Sequence, residues 1–296
     1  MRLKFKYKNR YALTGYLMLL PAFIMLTIFV TVPLFMAVGN SFRNADTGAF
    51  EGFNNYIFIF QTDLFMNAFG RVLIFTVIVT IIMILVSFAF SYFILLVAHK
   101  LPGNIVKSFI YIPFMISGII LSIIYLYMVD YRGGFLNSII MTTGNSPVNF
   151  ATEGFWPYVT ILLPLLWQGF GYYCLVMYAG LLGVPQQQLE AAKIDGAGTF
   201  TVIWRIILPA MRNYFVLIVV ALVTFNLQMF EIPFMTTGGG PTHRTYTPVL
   251  YLFMAFGNPN QQQGTVLAGA ILVMALIVTV NVIVFRLVQS KKSMDD

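Results

Sequence analysis

Charged residues make up only 9% of this 296-residue chain, against about 25% in soluble globular proteins. That shortage excludes a soluble globular domain. There is one cysteine, Cys174, so no internal disulfide can form, and its place in an apolar run reads as a small buried hydrophobe. The two histidines, His99 and His243, stand far apart, which implies no metal cluster. No G-x-x-x-x-G-K-[ST] phosphate loop occurs, since Gly238-Gly239-Gly240 lacks the following lysine. Any nucleotide must be handled by another chain, and no cofactor is expected. No Ser-His or Cys-His pair lies at one depth for nucleophilic catalysis. Asp130, Asp195 and Glu231 fall at three levels, which argues against an intramembrane hydrolase.

What the chain has in abundance is apolar length, with 59% hydrophobic residues. Crossing about 30 Å of hydrocarbon takes about 20 mostly apolar residues. Six stretches qualify, at 12–38, 69–98, 105–129, 157–182, 210–235 and 265–288. Their interior prolines, Pro33, Pro113 and Pro164, are compatible with spanning helices, because neighbours can satisfy the freed carbonyls. The basic N-terminal stretch resembles a signal peptide, with Ala37-Val38-Gly39 as a possible cleavage site. Its apolar run exceeds the usual 7–15 residues, so it is expected to stay as the first span.

The net charge of +7 follows membrane topology rather than nucleic-acid binding. With the N-terminus inside, 13 of the 17 Lys and Arg residues fall on the inner side, including Lys100, Lys107, Arg212, Arg286, Lys291 and Lys292. Arg43, Arg71, Arg132 and Arg244 fall outside. The positive-inside rule therefore puts both termini in the cytoplasm.

One inner loop is polar enough to be an island. Gln186 to Lys193 is a good helix-forming stretch after Pro185, broken by Asp195-Gly196-Ala197-Gly198. Thr199 is expected to cap a second short helix to about Ile207, ahead of Pro209. Glu190 and Lys193 share a face, and Ala191 and Ala192 offer a crest without bulk that permits close approach of a partner. From composition alone, an amphipathic connector lying on the inner leaflet is an equal alternative.

The string Glu190-Ala191-Ala192, then Asp195-Gly196-Ala197, then Ile206, Leu208 and Pro209 resembles the cytoplasmic coupling loop of ABC importer permeases. The resemblance covers most of residues 12–290. Thr236-Thr237-Gly238-Gly239-Gly240-Pro241, followed by Thr245 and Pro248, is similar to the T-x-G-G-P segment of carbohydrate permeases. The member of the pair it resembles is the larger membrane subunit of the maltose transporter, although the extra N-terminal spans and large external domain of that subunit are missing from this sequence. Gly133-Gly134-Phe135-Leu136-Asn137, Trp167-Gln168-Gly169 and Ala179-Gly180-Leu181 carry the resemblance further.

It implies an all-α polytopic fold with six transmembrane helices of the type I ABC importer kind. Residues 1–296 would form one permease domain, with a coupling loop over 186–209 where Glu190, Ala191, Ala192, Asp195 and Gly196 meet an ATPase. The implied setting is a bacterial or archaeal cell membrane. The implied partners are a second related permease, two cytoplasmic ATPase subunits and an extracytoplasmic solute-binding protein docking at Gly238, Gly239, Gly240 and Pro241. The cargo would be a sugar, with an oligosaccharide favoured. A non-carbohydrate polyol or small polar solute is the alternative, and a passive channel conflicts with the Glu190 island.

Residue types nominate a substrate path independently. Asn226, Gln228 and Glu231 could present a polar wall, and an intramembrane carboxylate usually faces an interior path or a partner. Gln168, Tyr172 and Tyr173 sit near Gly169 and Gly171. Trp167, Phe170, Tyr172 and Phe230 could stack on sugar rings. Polar residues and glycines in spans more commonly serve as packing glue between helices, which is the leading alternative from residue types alone. The resemblance places Gln168, Gly169, Tyr172, Asn226 and Met229 on sugar-contacting positions, with Met229 replacing an expected polar residue.

Overall fold

The computed structural model describes residues 2–45, 47–97, 103–258 and 262–288. Among the residues counted above, His99, Lys100, Lys291 and Lys292 lie outside them. Within the described residues the chain is helical, and the only β pairing is an isolated antiparallel bridge between Arg43 and Phe50.

In chain order the helices are α1 (Arg2–Leu26) and α2 (Val32–Ser41), joined by a π turn at Thr27–Thr31, then α3 (Asn54–Gln61) and α4 (Asp63–Val97). They continue as α5 (Gly103–Met115), α6 (Gly118–Met128), α7 (Phe135–Thr142), α8 (Trp156–Leu182) and α9 (Gln186–Ile194). Next come α10 (Thr199–Val202), a π turn at Ile203–Ile207, α11 (Leu208–Ala210) and α12 (Arg212–Leu227). The last are α13 (Glu231–Thr236), α14 (Pro248–Phe256) and α15 (Gln263–Val288).

Among the described residues, four helical stretches are long and apolar enough to cross a bilayer by themselves: Thr14–Ser41, Asp63–Leu96, Trp156–Leu182 and Gln263–Arg286. Two bent pairs bring the number to six when each counts as one crossing.

The second of these pairs is Thr199–Ala210 with Arg212–Leu227, bent by 70°. Two of the expected straight spans, the third and the fifth, are broken. The third stretch turns by 100° between Val106–Met115 and Gly118–Met128. Pro113 lies inside the last turn of α5, and Ser117, extended at φ −62° and ψ 148°, caps α6 by accepting from Ile120 N–H. The fifth stretch, expected as one helix over 210–235, is two. α12 has 16 residues, which reach only about 24 Å at 1.5 Å per residue. The chain then leaves the helix at Gln228–Phe230 and restarts as α13. Pro233 inside α13 has no N–H, so the Met229 carbonyl four residues back is left without its helical donor.

The chain divides into two compact units. The first holds the described residues up to Gln61 together with those from Ala255 to Ile271. Its buried polar knot is Asn55, which donates to the carbonyls of Ser41 and Arg43 at 3.0 Å each and accepts from Thr265 Oγ1 at 3.1 Å. Across Thr14–Ser41 only Ser41 is buried within the chain.

The second unit runs from Thr62 to Met254 and resumes at Leu272. Its centre is α8, against which α4, α5 and α12 pack. Met83, Tyr173, Met177, Met211, Ile218 and Leu222 form the core. Where lipid is the solvent, close packing rather than water exclusion holds helices together, and small residues allow it. Gly171 shows the mechanism: a methyl group there would run into the Ile110 carbonyl oxygen of α5. At Gly180 the same atom would meet Met211 Cε and Tyr214 Cγ, both at 2.9 Å.

Asn137 explains the Gly133–Asn137 motif. Fully buried, its amide donates to the carbonyls of Asp130 and Val148 at 3.0 Å each and accepts from Val148 N–H at 2.8 Å. It clamps the loop around α7. Gly134 has no room for a side chain, with Asp130 N and the Met128 carbonyl against it.

Candidate functional site: a cavity between two helix breaks

Within the second unit lies a cavity of about 510 Å³. Val79 and Met83 of α4 line it, together with Leu165, Gln168, Gly169 and Tyr173 of α8. The α5–α6 break contributes Phe114 to Gly118, and Leu222, Phe225, Asn226 and Gln228 to Ile232 come from α12, its break and α13. Irregular backbone at membrane depth is tolerated only where it is buried in protein or borders a cavity. Here both breaks border the same one.

Each break leaves a carbonyl without its helical donor, and one side chain satisfies each. Gln168 Nε2 donates to the Ile116 carbonyl at 2.9 Å. Thr247 Oγ1 donates to the Met229 carbonyl, orphaned by Pro233, at 2.7 Å.

Of the residues nominated from sequence, the structure brings Gln168, Gly169, Asn226, Gln228, Met229 and Glu231 to this cavity, along with Tyr173 and Phe230. Tyr172 is not in the lining. It stacks on Phe114 at 4.7 Å and 14°, so it supports the wall from behind. Trp167 and Phe170 also lie outside the lining, with Phe170 set edge-on to Phe90 at 5.1 Å.

Asn226 is fully buried, and neither its Nδ2 nor its Oδ1 has a hydrogen-bond partner. A buried amide without a protein partner costs free energy unless a ligand or water meets it. Glu231 is exposed within this chain. Its carboxylate lies against the first residue of α6: a methyl group on Gly118 would come 2.5 Å from Glu231 Oε2. That is where the partial positive end of a helix dipole stabilises negative charge. Sequence reasoning missed the contribution of Phe114 to Gly118, although Pro113 followed by Ser117-Gly118 is a helix-stop and helix-start signature.

The polar island is a pair of short helices. α9 ends in a Schellman motif, with Ala197 N–H bonded to the Ala192 carbonyl at 2.9 Å and Gly196 N–H to the Lys193 carbonyl at 3.2 Å. Gly196 takes φ +73°, which only glycine adopts freely. Glu190 accepts from Gln186, one turn back, at 3.3 Å. Two expectations are corrected. Thr199 is the first residue of α10 and not its cap, because extended Gly198 holds that position without a side-chain bond. Ala191 is exposed but Ala192 is buried, so the crest without bulk is narrower than expected. Exposed apolar surface lies beside it instead: Ile194 is 87% exposed and Phe200 73%, with Trp204 5.8 Å from Phe200.

The glycine-rich segment is a stapled turn. Gly238 and Gly239 take φ +58° and +85°, and Gly239 sits flat on the Tyr246 ring. Buried Thr245 bonds the Thr237 hydroxyl and the Gly240 carbonyl, both at 2.7 Å. The Arg71 guanidinium donates to the His243 carbonyl.

A helical bundle with a cavity at helix breaks and an exposed polar island is the architecture of a membrane transport component. Residues 93–293 match the family of binding-protein-dependent transport system inner membrane components, and the chain belongs to that family. It is therefore a multi-pass inner-membrane transport subunit and not an enzyme. It is 28% identical over 268 residues to the osmoprotective compounds uptake permease protein GgtC of Synechocystis sp., covering 88% of this chain and 94% of that one. It is 26% identical over 278 residues to the alpha-glucoside transport system permease protein AglF of Rhizobium meliloti, covering 90% and 80%. Its fold matches a chain of a bacterial ABC transporter involved in the import of the acidic polysaccharide alginate, with a TM-score of 0.81, 22% identity and coverage of 98% and 100%.

Proposed function

We propose that the cavity at the two helix breaks is the path of a saccharide, and that this chain is the sugar-translocating permease of an ABC importer. The observation that carries the reading is Asn226, a buried amide with both polar atoms open, on a wall that also presents Gln168, Gln228, Glu231 and aromatic faces. Amides and carboxylates bond hydroxyls, and rings cover apolar sugar faces. The similarity to AglF and to the fold of the alginate importer supports a carbohydrate cargo.

In this reading residues 1–296 act as one permease domain with both termini in the cytoplasm. The chain pairs with a related permease as a heterodimer on two ATPase subunits. The 186–209 island is the coupling loop, where Glu190, Ala191, Ala192, Asp195 and Gly196 meet an ATPase. Exposed Ile194 and Phe200 supply the apolar surface a docking loop needs. The turn at Gly238, Gly239, Gly240 and Pro241 receives the solute-binding protein.

The test is sugar uptake per assembled complex, with the mass of the intact detergent complex fixing its composition. Glu231→Ala and Asn226→Ala are expected to lower uptake more than assembly. Unchanged turnover and substrate preference in both would remove them from the path, and a transport-active homodimer would refute the heterodimer.

A further inference from the structure

The cavity has a sign. Among the described residues that line it, Glu231 alone carries a formal charge, and no described Lys, Arg or His borders it. We infer that it admits neutral and aminated saccharides and turns away acidic ones, with Glu231 as the residue that sets this selectivity. This rests on the saccharide reading above and narrows it to a charge class.

Three observations carry it. First, the hydrogen-bonding groups of the wall lean toward acceptance. Glu231 only accepts. One N–H of the Gln168 amide is committed to the Ile116 carbonyl at 2.9 Å, which leaves its other N–H and its oxygen for a ligand. Asn226 keeps both its atoms open. Such a wall suits hydroxyl and ammonium donors. The neutral donors present can serve a hydroxyl oxygen, but they do not balance a full negative charge taken out of water.

Second, the one feature of the wall that would welcome an anion is already taken. The N-terminus of α6 opens at Ser117-Gly118 on the cavity, and its unbonded N–H groups and dipole favour negative charge. The Glu231 carboxylate lies on that end, against Gly118. An acidic sugar entering there would meet a like charge at a site already neutralised. Third, the nearby cations are placed elsewhere. Arg71 and Arg244 border a separate recess of about 40 Å³, and Arg71 is tied to the His243 carbonyl.

The test uses the assembled importer, purified without its solute-binding protein so that only the membrane path selects. The probes are neutral disaccharides with α and β linkages, each also in its 6-amino and 6-carboxylate form. Affinities are read by ligand-observed NMR. In the wild type, the neutral and amino forms are expected to bind about tenfold or more tighter than the carboxylate form. Glu231→Gln, nearly isosteric, is expected to close most of that gap. Gln228→Glu, at an exposed position on the same wall, is expected to widen it.

A carboxylate form that binds the wild type as well as its neutral counterpart overturns the inference while leaving the saccharide reading in place. So does a ratio that moves in neither variant. If no form binds, and none is taken up once the binding protein is restored, the saccharide reading itself fails and the charge class falls with it.

Discussion

Thr247 holds together two parts of the second unit, and its hydroxyl can be removed at nearly constant volume. In the wild type it donates to the Met229 carbonyl at 2.7 Å and accepts from Leu250 N–H at 3.2 Å, the N-cap contact of α14. Both residues are buried, Thr247 at 4% and Met229 at 7% exposure. Thr247→Val leaves the Met229 carbonyl without a donor, because Pro233 supplies none, at a cost of about 1–3 kcal/mol. It also removes a cap worth about 1 kcal/mol. The expected loss is thus about 2–4 kcal/mol. Thr247→Ser keeps both bonds and gives up only a methyl group, about 1 kcal/mol. Unfolding in mixed micelles of rising SDS fraction, followed by the fluorescence of Trp156, Trp167 and Trp204, measures both variants. If valine and serine differ by less than about 0.5 kcal/mol, the hydroxyl is not what satisfies the break. Because Met229 and Phe230 also line the cavity, the valine variant is expected to lower transport per assembled complex as well.

Gly171→Ala should force α5 away from α8, since its methyl group meets the Ile110 carbonyl oxygen, costing about 1–3 kcal/mol in the same assay. Gly70→Ala in α4, where nothing lies within 4 Å, should be neutral or stabilising by up to about 1 kcal/mol; equal losses in the two would refute the close-contact reading. Gly196→Val should leave membrane insertion intact but reduce co-purification of the ATPase, because φ +73° costs a branched residue about 1–2 kcal/mol. Gly196→Asn should be milder, since asparagine visits that conformation, and ATPase recovery at wild-type level in the valine variant would show that the turn does not govern docking.

Apolar run length made the long helices legible: α8 and α15 fall where the sequence puts them to within two residues, while α4 begins six residues early, at Asp63. The two breaks were not legible from hydropathy, because Ile116 and Met229 are as apolar as their neighbours. They follow from backbone chemistry instead: Pro113 with Ser117-Gly118 in one case, and Pro233 two positions into a new helix in the other. Tyr172 shows a second limit. Helical phase puts it on the same face as Leu165 and Gln168, but Phe114 from another helix covers it, and a single helix's periodicity carries no information about its neighbour. The Thr199 cap was lost for a local reason: Gly198, extended at φ −68° and ψ 157°, already holds the cap position. The stapled turn at 237–245 was invisible because its bonds run between threonines whose positions depend on two left-handed glycines.

Sequence reasoning left the intramembrane polar residues as either substrate contacts or packing glue. The structure divides that choice within single residues. The nitrogen of Gln168 is glue, holding the carbonyl of a broken helix, while its oxygen belongs to an amide on the cavity wall. The Glu231 carboxylate packs on Gly118 and also borders the cavity. Asn226 has no protein partner on either atom. At the first break the group that satisfies the carbonyl, Gln168, also lines the cavity, whereas Thr247, which satisfies the second, lies outside the lining. In Gln168, support and cavity wall therefore fall on the same side chain. A truncation such as Gln168→Ala would mix the two effects, whereas Gln168→Glu removes the donor and keeps an acceptor. The glutamate variant should lose stability through the Ile116 carbonyl, by about 1–3 kcal/mol, while adding a second negative charge to a wall where Glu231 is the only one. Stability and charge selectivity should then move together in that variant, and in Glu231→Gln only the selectivity should move.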